Sequence, residues 1–483
     1  LPIYNYIHEQ KMTLRNTLLI LGFLAVTLSA GYQAQAQRFK NFRKLTVSNG
    51  LSNASVRITY QDNHDFIWIG TRSGLNRFDG HELTLIEQSN SDPVPFINED
   101  ITTIHQIDNQ ELWVGTDKGL FIYLYDSDKV VRHPSPLLAS NNINEIKKDS
   151  NGDIWIAAAD GLYQQREEGI HHFVNDSKDL FSLSNNNTKA LWVTDTVIYV
   201  TTYDGLNILN KNTGQFKNIN NDKHPVFAEP GLYSYSLLLS RNGDLWFGSH
   251  RNGTEPYLNK YNPKTGEFAQ YVPGKNGLNF YYTILTLHED DYGIFVGVNG
   301  GGFYHYKKET DFFEHYNHDP KNPNTINDID VWDLMRDRNN NLWISTDGGG
   351  VNQHHAFFDR FSLFQHNPYV STSLGVNDTY DFHEVGGYLW VATNTLGLSK
   401  MNLETNEFFN FPFNPDNPKN SVLDYTIMEV EADDSGNIWT GSYSEGVSIY
   451  SQEKDQFSHI KNLTVAPSPP STYSTNIEHH HDI

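Results

Sequence analysis

The sequence predicts an all-β chain folded as a β-propeller with four-stranded blades. A short motif recurs nine times, each copy holds four strand-like runs separated by turn residues, and no stretch of helical period intervenes. The motif is apolar-aromatic-apolar-small-Thr followed by a glycine turn. It reads FIWIGTRSGLNRFDG at Trp68, ELWVGTDKGLFIY at Trp113, DIWIAAADGLYQQ at Trp155 and VIYVTTYDGLNIL at Tyr199. It returns at Trp246, Phe295, Trp343, Trp390 and Trp439, with spacings of 45, 42, 44, 47, 49, 48, 47 and 49 residues. Seven of the nine tryptophans hold this register; Trp192 and Trp332 do not.

Each copy has one grammar. An apolar run (Val56 to Tyr60, Tyr425 to Met428) precedes a polar turn rich in Asp, Asn and Gly, such as Asp149-Ser150-Asn151-Gly152-Asp153. The aromatic strand follows, apolar on both faces, as suits a strand buried between neighbours. A glycine turn leads to a third strand, and a run bearing Phe268, Phe312, Phe361, Phe408 or Phe457 closes the unit. The nine aromatics are therefore expected to pack between adjacent blades, because large rings are mostly buried for their area. The glycine lies six residues after the aromatic in the first four copies and seven after it in the last five, which points to a different turn type from the fifth blade on.

A propeller ring usually holds about 4–8 blades, so nine copies divide into one seven-bladed ring and two blades of an incomplete second ring. A ring must close or leave a free sheet edge. Phe39 to Val47 has the character of a fourth strand with no blade before it, and is expected to complete the Trp343 blade. Phe361 to Gln365 has the same character. The expected layout is residues 1–36 as upstream residues and leader, 37–357 as the seven-bladed propeller, 358–462 as a partial second propeller and 463–483 as a tail. The chain reads as cut off inside its second ring, whose two blades would be its least stable part.

From Lys11 the chain has the pattern of a secretory leader. Lys11 and Arg15 precede an apolar run of 12 residues from Thr17 to Leu28, and Ala34-Gln35-Ala36 supplies a small-x-small site, so cleavage is expected after Ala36. That run is shorter than the roughly 20 residues needed to span a bilayer. The expectation is an exported, periplasmic product. With 58 acidic against 35 basic residues the formal charge is −23, which argues against a nucleic-acid partner. The absence of cysteine removes disulfides and thiolate chemistry.

No catalytic signature is present. The segment Gly441 to Gly446 resembles a nucleophile elbow but has an extra residue and lies in the blade turn. Asp328 to Asp333 lacks the turn glycine of a calcium loop. His171-His172 and His354-His355 are adjacent, so on a strand they point to opposite faces and chelate poorly; His479 to His481 lie in the tail. No cofactor and no metal are expected.

The stretch from Gly50 to Gly80, GLSNASVRITYQDNHDFIWIGTRSGLNRFDG, resembles the opening of the two-component regulator propellers, with GLSN upstream and N-R-F-D-G downstream of W-x-G-T-x-x-G-L. The resemblance spans roughly Phe39 to Ile460. It implies two seven-bladed propellers, an immunoglobulin-like domain, a membrane span and cytoplasmic signalling domains, of which this sequence carries only the propeller part. It also implies a non-enzymatic sensor of a histidine-kinase system, responding to oligosaccharides as a homodimer when full length. Any membrane contact or kinase activity would reside in the missing C-terminal segments. The expected mechanism is a ligand-driven shift between two dimer arrangements. Two other readings stay open: a propeller enzyme of the streptogramin-lyase type, or a protein-binding scaffold.

The fifth and sixth copies carry the most unusual loops. His250, Arg251, Asn252 and Tyr257 interrupt the standard turn, and Tyr233, Tyr235, Tyr281 and Tyr282 lie at the starts of the adjacent first strands. Rings beside polar groups suit a sugar, so these eight residues are the candidate ligand contacts.

Overall fold

The structure, a computed structural model, describes residues 39, 41–86, 96, 99–139, 141–219, 234–250, 256–280, 283–355 and 364–461. The leader, Phe361 and the tail after residue 461 lie outside the described residues. Among those described there are nine four-stranded antiparallel sheets and no α-helix. The all-β propeller expectation holds: every repeat forms one blade. The chain divides into two compact units. One runs to Ser362 apart from Pro320–Pro323; the other comprises those four residues and Leu363 onward.

The first unit contains seven blades. Their innermost strands are Val56–Gln61, Ile101–Gln106, Ile143–Lys148, Thr188–Val193, Leu237–Leu239, Ile284–Asp290 and Val331–Arg336. Each packs on the next, and the seventh packs back on the first, so the ring is closed. Closure is made by hydrogen bonds. Arg43–Leu45 pairs antiparallel with Val351–His354 and serves as the outer strand of blade 7. Phe39 and Phe42, buried beside Phe295, Phe303 and Tyr316, anchor that strand.

Each letter of the motif has a separate physical task. The aromatic packs on the following blade: Trp68 on Ile101 and Ile104, Trp343 on Val56 and Ile67. Trp68, Trp113, Trp155, Tyr199, Trp246, Phe295, Trp343 and Trp390 are all buried, and Trp439 is half-buried. Four indoles are further tied down by an aspartate six residues earlier. Trp68, Trp155, Trp343 and Trp439 donate Nε1–H to Oδ2 of Asp62, Asp149, Asp337 and Asp433 at 2.7, 3.1, 2.8 and 2.9 Å. The other oxygen of the same carboxylate caps the polar turn. Oδ1 of Asp62, for instance, accepts the N–H of His64 and of Phe66. One side chain thus fixes both the hairpin and the ring orientation. At Trp246 the corresponding residue is Ser240, too short to reach, and the Trp246 N–H is left without a partner among the described residues.

The small residue lets the next blade approach. A Cβ on Gly115 would meet Thr103 Cγ2 at 2.5 Å and Ile143 Cγ2 at 2.7 Å; on Gly70 it would meet Ile101 Cγ2 at 2.6 Å. The threonine clamps the turn, Thr71 and Thr116 each donating Oγ1–H to the carbonyl of Gly74 and Gly119 at 2.9 Å. That turn has two residues in blades 1–4, where Thr71 pairs with Gly74. It has three in blade 8, where Thr393 pairs with Gly397 and Thr395 takes a positive φ of 65°. The shift of the glycine by one residue is therefore a change of turn type.

The second unit holds blades 8 and 9, with inner strands Thr379–Val385 and Ile427–Ala432. Trp390 packs on Ile427, Val430, Ile438 and Tyr450, repeating the inter-blade contact of the first unit. Among the described residues no helix is long and apolar enough to cross a membrane.

The crowding at the small position makes a testable contrast. Gly115→Ala is expected to destabilise the first unit by about 1–3 kcal/mol, because the two β-branched neighbours are stiff at χ1. Gly441→Ala, in blade 9, meets nothing closer than Glu429 Cβ at 3.8 Å; its effect should stay within about 0.5 kcal/mol. Urea unfolding of both variants checks this, and equal effects would refute the packing role.

Candidate functional site in the axial channel

The inner strands carry a recurring irregularity that creates the site. In six of the seven ring blades the register of the inner strand against its neighbour slips after the first residue or two, as between Val56 and Ile58 or Val331 and Asp333. A bulge inserts one residue that does not pair and re-aims its side chain. The residues at these slips include Arg57, Thr102, Asn144, Lys189, Leu285 and Trp332, and each lines a cavity of about 510 Å³ on the axis of the ring. In blade 5 Tyr235 occupies the corresponding position, eleven residues before Trp246 as Trp332 is before Trp343. Seven blades therefore present seven dissimilar side chains at the end of the channel where the inner strands begin.

Two cation–ring pairs stand at this mouth. The Arg57 guanidinium lies 3.7 Å from the Trp332 ring centroid and pairs with Asp100 at 3.3 Å. Lys189 Nζ lies 5.2 Å from the Tyr203 centroid and 5.7 Å from that of Tyr235. Burial holds the Lys189 ammonium below the usual lysine range. Deeper in, acids clip one blade to the next. Glu145 Oε2 accepts the N–H of Leu191 at 2.6 Å, and Asp333 Oδ2 accepts the Thr59 N–H at 2.9 Å. Glu145 also pairs with Lys147 at 3.0 Å and holds that ammonium above its ordinary value. Burial raises the Asp333 carboxyl, against the Thr59 donors. Trp192 and His288 complete the polar and aromatic lining.

Of the eight sequence-predicted contacts, Tyr235 lines the channel and is 39% exposed. Leu237 pairs with Phe247, and Ser249 with Tyr257, so His250 and Tyr257 lie at the same end of blade 5 as Tyr235. The His250 imidazole is held below its ordinary range by burial. Arg251, Asn252, Tyr233, Tyr281 and Tyr282 lie outside the described residues. Sequence reasoning missed Arg57, Lys189, Trp332, Trp192 and His288. The available signal was the pair of tryptophans out of register with the blade repeat.

The adjacent histidines do diverge. His172 stacks on Tyr163 at 4.0 Å while His171 meets Phe173 edge-on at 4.3 Å. Among the described residues no group of three or more His, Asp or Glu side chains is placed to hold a metal.

A closed propeller with a polar, ring-lined axis is the class this geometry defines. Residues 325–348, which run into blade 7 and include Trp332 and Trp343, match the family model described as Two component regulator propeller. The matched segment holds the Trp343 copy of the repeat read along the sequence. Over 76 residues, 16% of this chain and 5% of the relative, the chain is 37% identical to histidine kinase P4 of Formosa agariphila. Two solved extracellular domains of hybrid two-component systems from B. thetaiotaomicron share the fold. One is 23% identical with a TM-score of 0.56, over 87% of this chain and 54% of that one. The other is 20% identical with a TM-score of 0.54, over 88% and 55%. The chain spans about half the length of these solved domains.

Two imidazoles near the axis set an acid limit on the ring. Burial, reinforced by Arg336 and Arg241 against Asp290, pushes His288 down to about 4. Burial with Lys147 and Lys148 pushes His105 down to about 3. An unfolded histidine takes its proton near pH 6.5, so between these values the unfolded chain binds more protons and acid favours it. Stability should be level above about pH 7 and fall from pH 6.5 towards 4, by at most about 1.4 kcal/mol per pH unit for each ring. Chemical denaturation across that range checks it. His288→Phe should flatten the slope, and an unchanged slope would refute the assignment.

Proposed function

We propose that this chain is the ligand-receiving propeller region of an extracytoplasmic two-component sensor, and that a small oligosaccharide enters the mouth of its axial channel. The observation that carries the reading is the ring of dissimilar side chains at that mouth. Structural positions repeat from blade to blade, whereas these seven differ and include Trp332 and Tyr235. Exposed rings beside hydrogen-bonding groups suit sugars, whose C–H faces stack while their hydroxyls are held at the rim. The match over residues 325–348 and the fold likeness to extracellular domains of hybrid two-component systems support the sensory context. On this reading the chain binds rather than transforms its ligand. In the full-length receptor the bound state would shift a homodimer between two arrangements.

Calorimetry against neutral and acidic oligosaccharides of two to six residues tests the proposal. At least one member should bind, and Trp332→Ala should weaken it about tenfold, the equivalent of about 1.4 kcal/mol. Binding by none would end the reading. The same proposal places the protein outside the cytoplasm with its leader removed. The exported product should begin at Gln37 by intact mass, and a retained leader would contradict that part.

A further inference from the structure

The charges around the channel do not cancel evenly. Arg57 is answered by Asp100 and Lys147 by Glu145. Arg241 is answered by Asp291, and its backbone N–H by Glu289. Glu145 and Asp333 are occupied in clipping neighbouring blades. Lys189 differs: among the described residues no carboxylate lies within ion-pair distance of it, and its ammonium stands beside the rings of Tyr203 and Tyr235. Around the same cavity, Trp332 Nε1 and His288 Nε2 are buried without a hydrogen-bond partner among the described residues. A desolvated cation without a counter-charge and an indole N–H without an acceptor are both costly, and both are relieved by an incoming oxyanion or hydroxyl.

Position sorts these groups into two stations. Lys189 and Tyr235 come from blades 4 and 5, Trp332 and Arg57 from blades 7 and 1, on the far side of the ring. The stations are a cation beside a phenol ring and an indole bearing a free donor. We propose that the channel mouth takes a saccharide with an anionic ring substituent, a carboxylate or a sulfate ester, seated on Lys189 with its sugar face against Tyr235 and a hydroxyl accepting the Trp332 N–H. This rests on the saccharide reading above and adds the charge of the ligand and the residue that selects it.

The experiment is calorimetry on the whole chain with three probes of equal length: a galacturonic acid tetramer, a sulfated galactose tetramer and a neutral galactose tetramer. At least one anionic probe should bind ten- to about a hundredfold more tightly than the neutral one, the range of a hydrogen bond to a charged group. Whichever arm prevails identifies the substituent. Raising salt from 50 to 500 mM should weaken the anionic probe and leave the neutral one. Lys189→Met should abolish the preference for the anionic probe, and Lys189→Arg should restore it. The change in tryptophan emission on binding should shrink in Trp332→Phe. Equal affinity for neutral and anionic probes overturns this inference and leaves the sensor reading standing. Binding by none overturns both. A preference that survives Lys189→Met, or is insensitive to salt in the unaltered chain, places the anion elsewhere and overturns it as well.

Discussion

Everything in the first unit depends on how closely one blade can approach the next. The approach is limited by the residue two after the aromatic, where Gly70, Gly115, Gly248 or Gly297 leaves only enough room for a branched side chain of the following inner strand. Given that approach, the indole or phenyl ring of each blade is covered by its neighbour and water is excluded. The burial gain is non-directional; the direction comes from hydrogen bonds. An aspartate such as Asp62 binds the turn with one oxygen and the indole with the other, so ring orientation and hairpin geometry are set together. Further clips such as Glu145 to the Leu191 N–H link the inner strands where the apolar packing thins out towards the axis.

The channel follows from the same construction. Inner strands cannot meet at the axis, and the bulge near the start of six of the seven frees a position from pairing duty. What stands there is not constrained by packing, which is why Arg57, Asn144, Lys189, Tyr235 and Trp332 replace one another around a single ring. Binding chemistry is confined to the places the repeat leaves open, a division of labour familiar in folds that carry many functions on one scaffold.

The architecture was legible because its causes are local and repeated. Nine copies of one motif average out the ambiguity of any single strand, and Phe39 to Val47 stood out as a strand lacking a blade; Arg43–Leu45 is found closing the ring. The site was much less legible. Arg57 and Lys189 sit in alternating runs that look like solvated strand faces, and only the register slip turns them to the axis. Trp332 and Trp192 announced themselves by being out of step, yet a sequence does not say that the odd position faces a cavity. Attention to the unusual loop of blade 5 selected Tyr235, which lines the channel, together with His250 and Tyr257 from the same end of that blade.

The seam between Arg43–Leu45 and Val351–His354 joins segments about as far apart in the chain as the first unit allows. Such a contact is the most expensive in loop entropy and gains nothing until the intervening blades exist. During synthesis Arg43–Leu45 must therefore remain unmatched, an adhesive edge held open for some three hundred residues, and circularisation becomes the last step in the maturation of the first unit.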